Sequence, residues 1–279
     1  MLRYNYTNDG GARQISVILN GRPVIVDDSH ANFSAVLNAC RAGDEAAAYK
    51  FLDFDAAYRE ALSAIDARFS IVEGKVTFDG EAISDNLNSA IVSVLTEKGD
   101  VKPLANFVRL LDGNPSFRSR TQLWAWIKNH GLNINDDGYL IAYKGVKPNE
   151  SGDYVSIHSG DGIVNGKATS GYLRNNVGDV VEVPRHKVDD DPNSTCSFGL
   201  HAGTYDYANN FGQGITLTVK INPADVVSVP RDGHKIRACR YEVLATTESA
   251  WTATVVWDGV SDSVDSDWSD DQEDDYWSN

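Results

Sequence analysis

Cysteine is scarce in this sequence, and basic residues disappear altogether near its end. The three cysteines are Cys40, Cys196 and Cys239. An odd number at such wide spacing gives no disulfide framework and fits a reducing compartment. Long apolar runs are missing too. No stretch approaches the roughly 20 apolar residues that a membrane-spanning helix needs, and the opening MLRYNYTNDGGARQ lacks the apolar centre of a secretory signal. A soluble, intracellular protein is expected, with any membrane contact peripheral. The sequence also has no G-x-x-x-x-G-K-[S/T] phosphate loop, no G-x-G-x-x-G fingerprint and no G-x-S-x-G nucleophile elbow. No internal repeat is present.

What is present is acidic. The 279 residues carry a net charge of −15. Residues 258–279 contain nine acidic side chains and no basic one, which leaves about −6 on the rest. That balance repels phosphate backbones, so general nucleic-acid binding is not expected. The segment SDSVDSDWSDDQEDDYWSN cannot bury enough apolar surface to offset the entropy of ordering. It reads as a disordered, solvated tail, with Trp268, Tyr276 and Trp277 as anchors if it serves as an acidic interaction segment.

Periodicity organises the remainder. Residues 15–19 (ISVIL) and 23–26 (PVIV) flank Asn20-Gly21 as a hairpin. Residues 29–52 carry Phe33, Val36, Leu37, Ala47 and Phe51 at helical spacing, divided by Gly43-Asp44. Residues 54–65 continue as helix, and residues 69–78 form a second hairpin around Glu73-Gly74. Ser84 caps a helix through Leu87, Ile91, Val94 and Leu95. Residues 102–111 form another, stopped by the Asp112–Pro115 turn residues. Ser119 or Thr121 is expected to cap a helix whose Trp124 and Trp126 pack in the core. After the turn residues 135–138 the pattern becomes β-rich: strands at residues 139–143, 215–221, 226–229 and 240–245, a helix at 203–211 and a last strand at 251–257. The expected fold is α+β: a helical N-terminal half with small β-hairpins (1–135), a β-rich domain with short helices (136–257) and a disordered acidic C-terminal tail (258–279).

Polar and reactive residues crowd the loops of the second half, where a scaffold usually displays binding groups. In order they are LLDGNPSFRSR (110–120), DDGYLIAYKGV (136–146), HSG (158–160), VDDDPNSTCSFGLHAGTYDYANNF (188–211), VKINPADVVSVP (219–230) and CRYEVLA (239–245). This series resembles the rIIB-like family of tailed bacteriophages over about half of the chain. The resemblance implies an early phage protein that supports infection against host or prophage exclusion and takes part in lysis inhibition. It also implies loose association with the inner face of the host membrane and partnership with a larger rIIA-like, ATPase-like phage protein. The site residues expected to bind a ligand or partner are Ser159, Gly160, Arg185, Asp189, Asp190, Asp191, Asn193, Cys196, Gly199 and Tyr207.

Three chemistries could use residues of that series. Cys196, His201, His158 and Cys239 are zinc-ligand types, but Cys-x4-His is not a finger spacing and both cysteines are expected to be small buried residues. Consecutive aspartates in an extended chain face opposite ways, so residues 189–193 read as a capped turn, with Asp191 or Asn193 bonding nearby amides. No metal is expected. The order His158-Ser159-Gly160, Gly199-Leu200-His201, Tyr241-Glu242 is similar to that of ADP-ribosyltransferases, although Ser159-Gly160 inverts the usual order and His201 replaces a tyrosine. In that reading His158, His201 and Glu242 form a catalytic constellation for NAD or another nucleotide. Elsewhere, Arg118 and Arg120 read as a solvated face or an anion clamp at a helix start, and Lys144-Gly145 as turn chemistry. The favoured expectation is a protein that acts by binding a host exclusion factor, partner or ligand. The rivals are an ADP-ribosyl enzyme and a scaffold for an rIIA-like partner.

Overall fold

The structure is a computed structural model that describes residues 2–247, except 10, 20–21, 29–32, 53, 73–74, 98 and 232. The Asn20-Gly21 and Glu73-Gly74 turns, the strand expected at 251–257 and the acidic tail therefore lie outside the described residues. The chain divides into two compact units, Met1–Ile83 and a second that starts at Ser84.

The first unit opens with an antiparallel meander of β1 (Tyr4–Asp9), β2 (Ala12–Leu19) and β3 (Arg22–Asp27). Strand alternation is visible in β2, where Ile15 and Val17 are fully buried while Ile18 is exposed. The helix α1 (Phe33–Ala42) buries Phe33, Val36, Leu37 and Cys40, the i, i+3, i+4, i+7 stripe of an amphipathic helix. These side chains form one core with Ile15, Val17, Val26, Ala48 and Leu52. Gly43 takes φ +68°, a left-handed stop, and the Asp44 carboxylate accepts the Ala47 amide at 2.9 Å to start α2 (Glu45–Leu52). After α3 (Phe54–Ser63) come the small strands β4 (Phe69–Val72), β5 (Lys75–Phe78) and β6 (Glu81–Ala82).

A helical N-terminal half is not what the structure shows. Among the described residues, six strands interleave with three helices before Ile83, and the next three helices belong to the second unit. The apolar stripes were sound evidence for each helix. They carried no information about how short, polar strands such as β1 would add to the sheet.

The second unit begins with α4 (Asp85–Thr96), α5 (Lys102–Asp112) and α6 (Phe117–Asn129). Ser84 occupies the N-cap of α4 but makes no side-chain capping bond. Ser116, not Ser119 or Thr121, caps α6: its Oγ accepts the Ser119 amide at 3.2 Å. Ser119 lies inside the helix, buried, and donates its hydroxyl to the Val227 carbonyl at 2.8 Å. Trp124 is fully buried against Phe107, and the buried Trp126 donates its indole N–H to the Gly233 carbonyl at 2.7 Å. Both tryptophans are packing residues, as the usual burial of tryptophan suggested.

The remaining strands are β7 (Asn133–Ile134), β8 (Leu140–Pro148), β9 (Tyr154–Val155), β10 (Gly160–Val164), β11 (Lys167–Gly171), β12 (Val180–Glu182), β13 (Leu200–Gly203), β14 (Ile215–Ile221), β15 (Val226–Ser228), β16 (Lys235–Ala238) and β17 (Arg240–Thr246). They form an antiparallel sheet in the order β11-β10-β12-β17-β14-β8-β13-β16-β15, with β7 and β9 attached to β8. The helix α7 (Tyr205–Phe211) follows β13 and rests on β8. Gly145 permits that approach: a Cβ there would collide with the Ala208 carbonyl and the Gly212 backbone. Gly138 plays the same part earlier, at φ +84° and hard against the Asn106–Phe107 backbone. Lys144-Gly145 is thus mid-strand rather than a turn.

Candidate functional site

A cleft of about 430 Å³ opens on this sheet between α7 and the loops that lead into β10 and β13. Its lining includes Lys144 from β8, His158–Asp161, Cys196–His201, Tyr207 and Phe211 from α7, Lys235 from β16 and Tyr241 from β17. Local bonding explains how each wall is held. The Ser156 hydroxyl donates to the His158 carbonyl at 2.7 Å and accepts the Leu173 amide at 2.9 Å, bending the His158 loop back over β10. Thr204 caps α7 by accepting the Tyr207 amide at 3.3 Å, which sets the turn that presents Tyr207 and Phe211. Those two rings lie nearly parallel, with centroids 5.8 Å apart, and His158 reaches Phe211 at the same distance.

The loop of residues 189–198 is held by a residue that the sequence reading passed over. Arg237, fully buried on β16, donates Nε to the Asp189 carbonyl at 2.7 Å, and its two terminal nitrogens to the carbonyls of Ser194 and Asp191 and to the Ser228 hydroxyl at 3.0 Å. The Asp189 amide closes the loop on the Phe198 carbonyl at 3.0 Å. Within it, Asp189 accepts the Asp191 amide at 2.9 Å and Asp191 accepts the Asn193 amide at 3.0 Å, the capped turn that the sequence suggested. Hydrogen bonds from Ser197 and from the Asp191 amide, with the Arg237 charge nearby, keep the Asp189 carboxyl below its ordinary range. A fork that satisfies several carbonyls from a buried position is chemistry suited to arginine. It makes the aspartate cluster a structural loop whose far end, Cys196–Gly199, becomes a wall of the cleft.

The structure therefore sorts the expected site residues. His158, Ser159, Gly160, Cys196, Gly199, His201 and Tyr207 converge on the cleft. Asp189, Asp191 and Asn193 are engaged in their own turn, and Asp190 is exposed beside it. Arg185 is committed elsewhere, donating to the Ala224 carbonyl at 2.6 Å, the Asn114 side chain at 2.8 Å and the Val226 carbonyl at 3.0 Å. Glu242 does not reach His158 and His201. It neighbours the buried Tyr241 on β17, and alternation sends it to a second, smaller pocket, where it pairs with Lys220 at 2.7 Å. The three members of the ADP-ribosyl constellation do not meet. Cys196 is exposed rather than buried, whereas Cys239 is buried beside Asp225 at 3.7 Å. Among the described residues, no three histidine, cysteine or acidic side chains gather as metal ligands. Arg120 packs over Phe117 and lies 3.8 Å from Asp112, within the helix rather than ahead of it.

Several lining residues carried no warning in the sequence. Lys144 read as turn chemistry and no strand was expected around Lys235, yet Lys144 is mid-strand and Lys235 is 5% exposed. The Lys144 ammonium donates to the His201 carbonyl at 3.1 Å and lies 5.4 Å from the Tyr241 ring centre. Burial lowers its pKa to about 8. Burial, and secondarily the charge of Asp179, pushes the Tyr241 phenol well above its ordinary range. It stays protonated, its hydroxyl donating to the Asn175 side chain.

The sequence model described as bacteriophage T4 protein rIIB matches residues 14–274. This chain belongs to the T4 rIIB family. It is 29% identical over 221 residues to "Protein rIIB" of Enterobacteria phage T4, a match covering 78% of this chain and 65% of that protein. The rIIB match thus spans just under two thirds of the curated relative. No solved structure matches the chain. Among the described residues, no helix is long and apolar enough to cross a membrane. The rIIB match runs across both compact units, well beyond the half of the chain where the resemblance was legible.

Proposed function

We propose that this rIIB-family phage protein supports infection against host or prophage exclusion by binding a ligand or partner in the cleft. One observation carries the reading: two separate signature words, HSG at 158–160 and CSFGLH at 196–201, line a single cavity. The loop that leads into the second word is anchored by the buried Arg237 fork, so that wall is pre-positioned. The cavity volume falls in the range of small-ligand sites. Binding rather than turnover is proposed because Glu242 is held by Lys220 on another part of the sheet. Family membership supports the biological setting, including the host cytoplasm, peripheral contact with the inner membrane face and an rIIA-like phage partner.

The test is plating efficiency. A phage lacking this gene is complemented with wild type, Lys144→Gln, Phe198→Ser or Glu242→Gln, on a permissive host and on one carrying an excluding prophage. The cleft variants should fail only on the excluding host, and Glu242→Gln should plate like wild type. Cleft variants that plate normally on both hosts would overturn the proposal.

A further inference from the structure

The cleft's charge is opposite to that of the chain around it. In a protein of net charge −15, Lys144, Lys235, His158 and His201 line one cavity. Its single carboxylate is Asp161, which is exposed and accepts the Ser170 hydroxyl at 2.7 Å. Lys144 is the informative member. Its ammonium has a carbonyl and a ring face for company, and no carboxylate among the described residues pairs with it. An ammonium has three donors, so one bond to the His201 carbonyl leaves two for something else. A desolvated cation without an anion is costly, and supplying the anion from a ligand removes that cost.

Exposure is graded along the cavity. Tyr241 at 2% and Lys235 at 5% form its base, whereas Phe211 at 40% and Phe198 at 43% stand at its mouth. Cations below and exposed flat rings above match a ligand with an anionic group at one end and a planar ring at the other. The volume, about 430 Å³, suits one small molecule. The negative charge of the whole chain opposes a long phosphate backbone, so a polymer is disfavoured.

We propose that the cleft binds a nucleoside phosphate, with the phosphate held by Lys144 and Lys235 and the base stacked at Phe198 and Phe211. This names the ligand class for the binding function above and rests on that reading. No bond is made or broken in the ligand.

Calorimetric titration of the full-length chain with ADP, GDP, CDP and UDP tests it, with adenosine and pyrophosphate as separate arms. At least one diphosphate should bind more tightly than either fragment. Lys144→Gln should weaken it about tenfold or more, the scale of a lost charge-assisted bond. Phe198→Ser, an exposed change that spares the core, should weaken it several-fold, and Glu242→Gln should leave it unchanged. Absence of diphosphate binding at millimolar concentration overturns the proposal. So does pyrophosphate that binds as well as the diphosphates, or binding indifferent to both Lys144→Gln and Phe198→Ser. If no diphosphate binds but the cleft variants still fail on the excluding host, the ligand class falls and the binding function stands. If diphosphates bind as described while those variants plate normally, the reverse holds.

Discussion

At the scale of single residues, the buried Arg237 and the partly buried Lys144 define what the second unit can do, and they make opposite contributions to stability. Arg237 is fully satisfied: its guanidinium reaches three backbone carbonyls and the Ser228 hydroxyl. Removing it leaves those carbonyls facing a void, and losses of about 3–5 kcal/mol are typical when one partner of a buried charged network is deleted. Arg237→Met should lower the urea midpoint accordingly. Arg237→Lys should rescue little, because an ammonium cannot span the carbonyls of Asp189, Asp191 and Ser194 together. A lysine variant of wild-type stability would show that the fork is not what holds the loop. Lys144 is the reverse case. Burial lowers its pKa to about 8, from an ordinary lysine value near 10.5. Between those limits the unfolded chain binds the extra proton, so stability rises with pH through that window. Replacing the side chain should remove the burden that exists below it. Lys144→Met is therefore expected to melt a few degrees above wild type near pH 7, with the gap narrowing as pH climbs past about 8. His158, His201, Lys235, Asp161 and Tyr207 share its cavity. A variant that melts lower at every pH would show instead that the bond to the His201 carbonyl outweighs the desolvation.

At the scale of elements, what was legible followed from local pattern, and what was hidden depended on contacts across the sheet. The α1 stripe, the Gly43-Asp44 break and the alternating ITLTVKI of β14 each reflect forces acting within a few residues. The turn at 135–138 behaves likewise, with the Asn135 side chain accepting the Tyr139 amide at 2.8 Å. β16 was overlooked because Lys235 and Arg237 in KIRA suggest a polar, exposed stretch, whereas all four of its residues are buried. Only the carbonyls of a loop more than forty residues away in sequence make Arg237 tolerable there. The site divided in the same way. HSG and CSFGLH could be singled out as words, but not Lys144 and Lys235 as cleft residues, because ordinary surface lysines look identical in sequence. Glu242 illustrates the converse, a residue placed by motif order and displaced by strand alternation. The contact of α7 with β8 offers a direct test of this packing. Gly145→Ala puts a methyl group against the Ala208 carbonyl and the Gly212 backbone, neither of which can rotate aside. Overpacking of this kind commonly costs about 1–3 kcal/mol. It should also weaken any ligand of the cleft, because α7 carries Tyr207 and Phe211. Unchanged stability by denaturant titration would mean that α7 sits less tightly than described.

At the scale of the molecule, the acidic residues 258–279 concentrate charge in sequence and offer little apolar surface. Deleting them should leave the melting temperature nearly unchanged, and a loss of several degrees would show that they dock. The division at Ile83 makes a stronger demand. The first unit has its own core, built from Ile15, Val17, Phe33, Val36 and Leu37 with their neighbours. The second has another, in which Trp124, Phe107, Ala142, Leu217, Val219 and Val243 are buried. Each unit thus has a buried core of its own, the requirement for cooperative folding. Every residue of the cleft lies in the second unit. A chain that starts at Ser84 should therefore unfold cooperatively in urea and keep the amides of β8, β14 and β17 protected from hydrogen exchange. Its cleft should respond to Lys144→Gln and Phe198→Ser as the full-length protein does. Loss of protection in those three strands would mean that residues 1–83 complete the fold of the second unit, and the cleft would then have to be understood as a property of the whole chain.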